Sequence, residues 1–171
     1  ATASMRPLSG EPFAELLERA GNFGAPLALL ILCLPEKGFR AWFKKIQPPD
    51  SISRESLKRV TLCLRVTGFL LLAGHGWLNL IGKKGLLTQY ESLGFNNAQQ
   101  VAIIAGIIEI AAAIVIAIRP LRPLILIFLI WKMGTELFYP QWEIFEWIER
   151  GGSYGTLLAL WFALKPSETH D

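Results

Sequence analysis

The stretch Val101-Ala-Ile-Ile-Ala-Gly-Ile-Ile-Glu109-Ile110-Ala-Ala-Ala-Ile-Val-Ile-Ala-Ile118 decides the fold class. It carries one ionisable side chain, Glu109, over nearly the ~20 apolar residues that a helix needs to cross a bilayer core. The rest of the chain is built in the same way. Charged residues make up 18% of the 171 and hydrophobic residues 52%, with a mean hydropathy of +0.39. A soluble domain has about 25% charged residues. Intrinsic disorder, a basic nucleic-acid-binding domain and a secreted disulfide scaffold are therefore excluded, and the expected surroundings are a lipid bilayer.

Working outward by apolar run and helix breaker, five spanning segments are predicted. Segment A covers residues 13–34 and is closed by Pro35, and segment B covers 60–81 before Gly82-Lys83-Lys84. Segment C covers 99–118 before Arg119-Pro120, D covers 121–138 before Tyr139-Pro140, and E covers 142–164 before Lys165-Pro166. In lipid an open chain must satisfy its backbone groups internally, so all five are helices. The predicted fold is all-α, a polytopic membrane helical bundle. The N-terminal helix occupies 1–35, a basic linker 36–59, a four-helix unit 60–164 and a tail 165–171. The linker places Phe39, Trp42, Phe43 and Ile46 among Lys37, Arg40, Lys44 and Lys45. It reads equally as an amphipathic helix on an anionic membrane surface or as a plain basic loop.

The net charge of +3 belongs mainly to loops that set orientation. The A–B connection carries Lys37, Arg40, Lys44, Lys45, Arg54, Lys58 and Arg59, and the C–D connection carries Arg119 and Arg122. The opposite side offers Lys83 and Lys84. The positive-inside rule then predicts that the basic loops and the C-terminus are cytoplasmic. Cys33 and Cys63 lie in apolar segments without a C-x-x-C spacing and read as buried thiols.

Segments A and E resemble each other. A contains Glu15-Leu-Leu-Glu18-Arg19-Ala-Gly21-Asn-Phe-Gly24 and then Leu27-Ala28-Leu29. E contains Glu146-Trp-Ile-Glu149-Arg150-Gly-Gly152-Ser-Tyr-Gly155 and then Leu158-Ala159-Leu160, at a constant shift of 131 positions. Apolar composition alone explains shared Leu and Ala, but not Glu-x-x-Glu-Arg followed by two glycines. Segment A is therefore expected to be the last helix of a preceding copy, and B–E one complete four-helix copy. The chain itself, starting at Ala1-Thr-Ala-Ser, is expected either to be a processed or truncated piece of a two-copy protein or to retain segment A as a packing partner.

Further motifs lie in B, C and the loops: Leu64-Arg65-x-x-Gly68, Gly74-His75-Gly76, Lys83, and Tyr90-x-x-Leu93-Gly94-Phe95. Gly106-x-x-Glu109 and Arg119-x-x-Arg122 complete the set. In these residues 57–164 resembles the DoxX-like family of four-helix bacterial membrane proteins. The resemblance implies a four-helix bundle in a bacterial inner membrane and a link to membrane redox complexes, thiosulfate–quinone oxidoreduction among them.

Polar residues within the segments are costly in lipid and should face the bundle interior. Arg65, Gly68, Leu72, His75 and Asn79 form one helical stripe on B. Counting about 1.5 Å per residue from the cytoplasmic ends puts Glu109 and Lys132 level near the midplane, as a predicted buried ion pair. His75, Glu136 and Glu149 fall together in an outer layer, with Asn79, Glu146 and Arg150 close by. Arg65, His75, Asn79, Glu136, Glu146, Glu149 and Arg150 are thus the candidate ligand-binding residues. No metal site is predicted, because Glu-x-x-Glu in E lacks a paired histidine. Gly74 and Gly76 form a close pair inside segment B, and broken helices are not expected.

Three functions follow, in order. The first is a non-catalytic subunit or scaffold that packs against other membrane subunits or a second copy of the bundle, with no cofactor of its own. The second holds a quinone or other lipophilic ligand against His75, Glu136 and Arg65. The third is a small-solute or proton-coupled transporter. Nucleic acid is not an expected partner, and enzymatic activity is not expected beyond service to a membrane oxidoreductase.

Overall fold

A computed structural model describes residues 10–33, 51–137, 147–148 and 150–164. All the regular structure among them is helical. The helices are α1 (Ala14–Glu18), α2 (Ala20–Cys33), α3 (Arg54–Leu80), α4 (Lys84–Ser92), α5 (Ala98–Ile118), α6 (Arg122–Leu137) and α7 (Gly151–Ala163). The helices overlap the predicted segments, but α3 begins at Arg54, inside the predicted linker, and α4 adds nine helical residues between B and C. The linker bases Lys37, Arg40, Lys44 and Lys45, together with Glu146, Glu149 and the tail, lie outside the described residues.

Local chemistry sets the helix ends. Ser53 caps α3 by accepting the backbone N–H of Ser56 at 3.0 Å, and Glu55 pairs with Arg59 one turn on. Asn97 caps α5 in the same manner, accepting from Gln100 N–H at 3.2 Å. Gly82 (φ +64°) and Gly94 (φ +87°) terminate α3 and α4 in the left-handed region, where a side chain is strained.

Helix α3 is the hub. It packs against α1, α2, α5 and α7, while α6 lies on α7 and α4 on α5. The main core joins Leu64, Leu71 and Leu72 of α3 to Ile116, Ile125, Leu157 and Leu160, all at most 2% exposed. A smaller apolar cluster around Leu78, Leu86, Tyr90 and Ala102 closes the α4 end. Two helices, α3 and α5, are long and apolar enough to cross a membrane by length and composition.

One expectation is corrected. Helix interruption was not expected from the sequence, yet the N-terminal helix breaks at Arg19 (φ −92°, ψ 14°), between α1 and α2. Arg150 takes nearly the same conformation (φ −83°, ψ 4°) immediately before α7. No glycine or proline adjoins Arg19, whereas Gly151 directly follows Arg150. Both places follow the same Glu-x-x-Glu-Arg sequence, and in each a glycine two residues later lets α2 and α7 touch through their backbones. A Cβ on Gly21 would lie 2.6 Å from the Gly152 carbonyl carbon, and one on Gly152 would lie 2.8 Å from the Gly21 oxygen.

Candidate functional site

Gly74-His75-Gly76 in α3 organises the site. A Cβ on Gly74 would collide with the backbone at Glu18 and Leu17, so the glycine admits α1 against α3. On the other face, a Cβ on Gly76 would lie 2.9 Å from the Gly106 oxygen, and one on Gly106 would lie 2.7 Å from the Gly76 oxygen. That reciprocal contact draws α5 in. The histidine between the two glycines therefore meets a carboxylate from each neighbour. Its Nδ1 lies 2.7 Å from Glu109 Oε2 of α5, and its Nε2 lies 3.9 Å from Glu18 Oε1 of α1.

Glu109 is 1% exposed and fully engaged. Besides His75, it accepts from Asn79 Nδ2 at 3.1 Å and from the Trp131 indole N–H at 3.2 Å. With Glu109 ionised, His75 Nδ1 is a donor. Asn79 in turn accepts the Tyr90 hydroxyl at 2.9 Å, so α4 is tied onto the cluster. Burial, and then the Glu109 charge, push the Tyr90 hydroxyl up to about 12 from 10.0, keeping it a donor across the physiological range.

A second set of charges adjoins the first. Lys132 of α6 is 1% exposed and donates to Glu136 Oε1 at 2.8 Å, one turn along the same helix. The other oxygen of Glu136 accepts a short hydrogen bond from Arg150, whose guanidinium also lies 3.8 Å from Glu18. At the rim, Glu15 forms a close ion pair with Lys83. A cavity of about 10 Å³, room for one water, lies among Glu18, Arg19, Lys132, Glu136 and Arg150.

The structure brings His75, Asn79, Glu136 and Arg150 into one cluster, and also Glu109 and Lys132. The expected direct Glu109–Lys132 pair is replaced. Glu136 lies one turn from Lys132 on the same helix and captures it, leaving Glu109 to His75, Asn79 and Trp131. Arg65 is a second correction. It reaches the backbone carbonyls of Ala117 and Ile118 at the C-terminus of α5 and caps that helix, far along α3 from His75. Glu146 and Glu149 lie outside the described residues. Sequence reasoning missed Glu18, Tyr90 and Trp131. The repeat carried a signal for Glu18, which occupies the position matching Glu149 in the outer layer.

Donor atoms of Glu18, His75 and Glu136 converge within 4.8 Å, a spacing that suits a metal ion by distance alone. Lys132 and Arg150 already hold Glu136, however, so the chain supplies its own cations there. Glu18, Glu109 and Glu136 together face two fixed cations and one imidazole.

A slot of about 510 Å³ opens between α5 and α6 beside this cluster. Its walls are apolar, formed by Ile104, Ala105, Ile108, Ile127 and Phe128. Its inner end is the Trp131–Glu109 hydrogen bond. No protein-family model matches the chain, and comparison with curated proteins and solved structures found no match either.

Proposed function

We propose that the protein is an integral membrane subunit that binds a lipophilic, quinone-class ligand between α5 and α6 and serves a larger membrane redox assembly. One observation carries the proposal: an apolar slot of ligand size ends on a carboxylate bonded to a histidine. Apolar walls suit a lipid-soluble ring and tail. The buried Glu109–His75 pair can exchange a proton with a headgroup.

The membrane setting is supported by where the apolar surface lies. Helix α5 has a mean hydropathy of 2.8 over its most apolar window, yet only 39% of that window is buried. Ile104, Ile107 and Ile108 on α5 and Ile127 and Ile130 on α6 each expose half or more of their surface. A soluble core helix would bury such residues; a bilayer gives them a solvent. The resemblance to DoxX-like proteins points the same way, towards a small bundle within a redox complex. A duplicated architecture is supported by the like backbone at Arg19 and Arg150 and by the reciprocal Gly21–Gly152 contact. These matched interruptions also favour a second reading, a carrier with parallel repeats and discontinuous helices. The slot ranks first because its exposed apolar rim suits a lipid-soluble molecule rather than a hydrated solute.

The test is a titration of the detergent-solubilised protein with decylubiquinone, followed by tryptophan fluorescence. Wild type is expected to show saturable quenching, with Trp131 at the inner end of the slot. Ile108→Trp, which fills the slot, should abolish it, and His75→Ala should weaken it. Identical curves for all three proteins would sink the proposal.

A further inference from the structure

His75 is held from two sides by elements that do not contact it through backbone hydrogen bonding but through glycine-permitted close approach. Glu109, from α5, meets Nδ1 at 2.7 Å and lines the slot. Glu18, from α1, faces Nε2 at 3.9 Å and lines the water-sized cavity on the other side. All three side chains are at least nine-tenths buried. Glu18 Oε1 is nearly equidistant from the imidazole and from Arg150, at 3.9 and 3.8 Å. It is about 0.6–0.7 Å beyond hydrogen-bond reach of each. A carboxylate in that position has two alternative partners, and a small rotation selects either.

We infer that His75 relays a proton between Glu109 at the slot and Glu18 at the internal cavity, with Glu18 as the mobile acceptor. The chemistry balances without any electron transfer. The O–H bond of protonated Glu109 breaks as Nδ1–H forms. Nε2–H breaks as O–H forms on Glu18, and the neutral ring is left as its other tautomer. Glu18 then turns from His75 toward the cavity, where its O–H bond breaks as a water occupying that cavity takes the proton. Lys132 and Arg150 donate to Glu136 beside the path, and Asn79, held by Tyr90, donates to Glu109 Oε2. The relay depends on the proposed slot only for where the proton originates.

The ring tautomer is the readout. The chain contains two histidines, so isotope-labelled histidine in a His170→Gln background gives one imidazole whose nitrogen shifts report which atom carries the proton. Two tautomers in exchange are expected for the wild-type background. Glu18→Gln, close in shape and unable to take the proton, should reduce the Nε2–H form by about fivefold, the difference between a charged and a neutral acceptor. Glu109→Gln should reduce the Nδ1–H form instead. Circular dichroism of each variant checks that the helices persist, and Glu18→Asp offers a second test should Glu18→Gln unfold. Its retracted carboxylate should also deplete the Nε2–H form. A ring with one invariant tautomer, or protonated on both nitrogens at every pH tested, overturns the relay, as does a Glu18→Gln spectrum equal to wild type. Decylubiquinone added to the same samples separates the two proposals. Failure to bind while both tautomers persist removes the slot and leaves the relay. Binding with a wild-type spectrum for Glu18→Gln removes the relay and leaves the slot.

Discussion

Lys132 shows how tightly the interior is balanced. Its ammonium is 1% exposed and bonded to Glu136, with Glu109 and Glu18 close enough to add to the favourable field. Removing one member of a buried network strands its partners in low dielectric, at a cost of roughly 3–5 kcal/mol. Lys132→Leu is therefore expected to lower stability by about that amount in thermal or SDS unfolding of the purified protein. Lys132→Leu combined with Glu136→Leu should recover part of the loss, because the stranded acid goes too. A double variant whose loss equals the two single losses added together would mean the pair is not coupled. The depth of Lys132 along its helix was legible in the sequence, but its partner was not. Counting residues fixes height, whereas pairing depends on which way each helix is turned. An acid one turn away on the same helix needs no such alignment, and Glu136 therefore wins over Glu109.

At the scale of elements, small residues decide which helices meet. Gly76 and Gly106 face each other across α3 and α5, and Gly21 faces Gly152 across α2 and α7. Small residues at helix contacts let backbones approach closely, the main device for association where lipid is as apolar as the helices themselves. Gly76→Ala and Gly21→Ala must push backbone against backbone, and each is expected to destabilise the protein by a few kcal/mol. Gly155→Ala is the control, since a methyl there meets nothing within 4 Å. It should be neutral or stabilising by up to about 1 kcal/mol through helix propensity. Unfolding midpoints of the three variants make the comparison, and a Gly76→Ala midpoint equal to that of Gly155→Ala would remove the close-approach explanation. The motif Gly74-His75-Gly76 was visible from the start, and segment boundaries were readable from apolar runs and breakers. The interruption at Arg19 was not, because no proline or glycine sits there and the following residues keep a helical pattern. Only its twin in segment E hinted that the charged quartet does something other than continue a helix.

For the molecule as a whole, orientation follows from which charges are free to act on the membrane. Arg119 is exposed in the α5–α6 connection, and Arg122 begins α6 with its guanidinium stacked over Trp161 at 4.4 Å. On the α4 side, Lys83 pairs with Glu15 and Lys84 is the other base. Under the positive-inside rule, we propose that the α5–α6 connection faces the cytoplasm. Single-cysteine variants test this once Cys33 and Cys63 are replaced by alanine. Thr88→Cys in α4 should react with a membrane-impermeant maleimide in intact spheroplasts. Leu121→Cys, between α5 and α6, should react only after lysis. The opposite pattern would reverse the orientation, and with it the side toward which Glu18 hands its proton. Labelling of both without lysis, together with release of the protein from membranes by alkaline carbonate, would refute a spanning bundle altogether. The buried charges would then need a soluble partner, rather than lipid, to cover the isoleucine faces of α5 and α6.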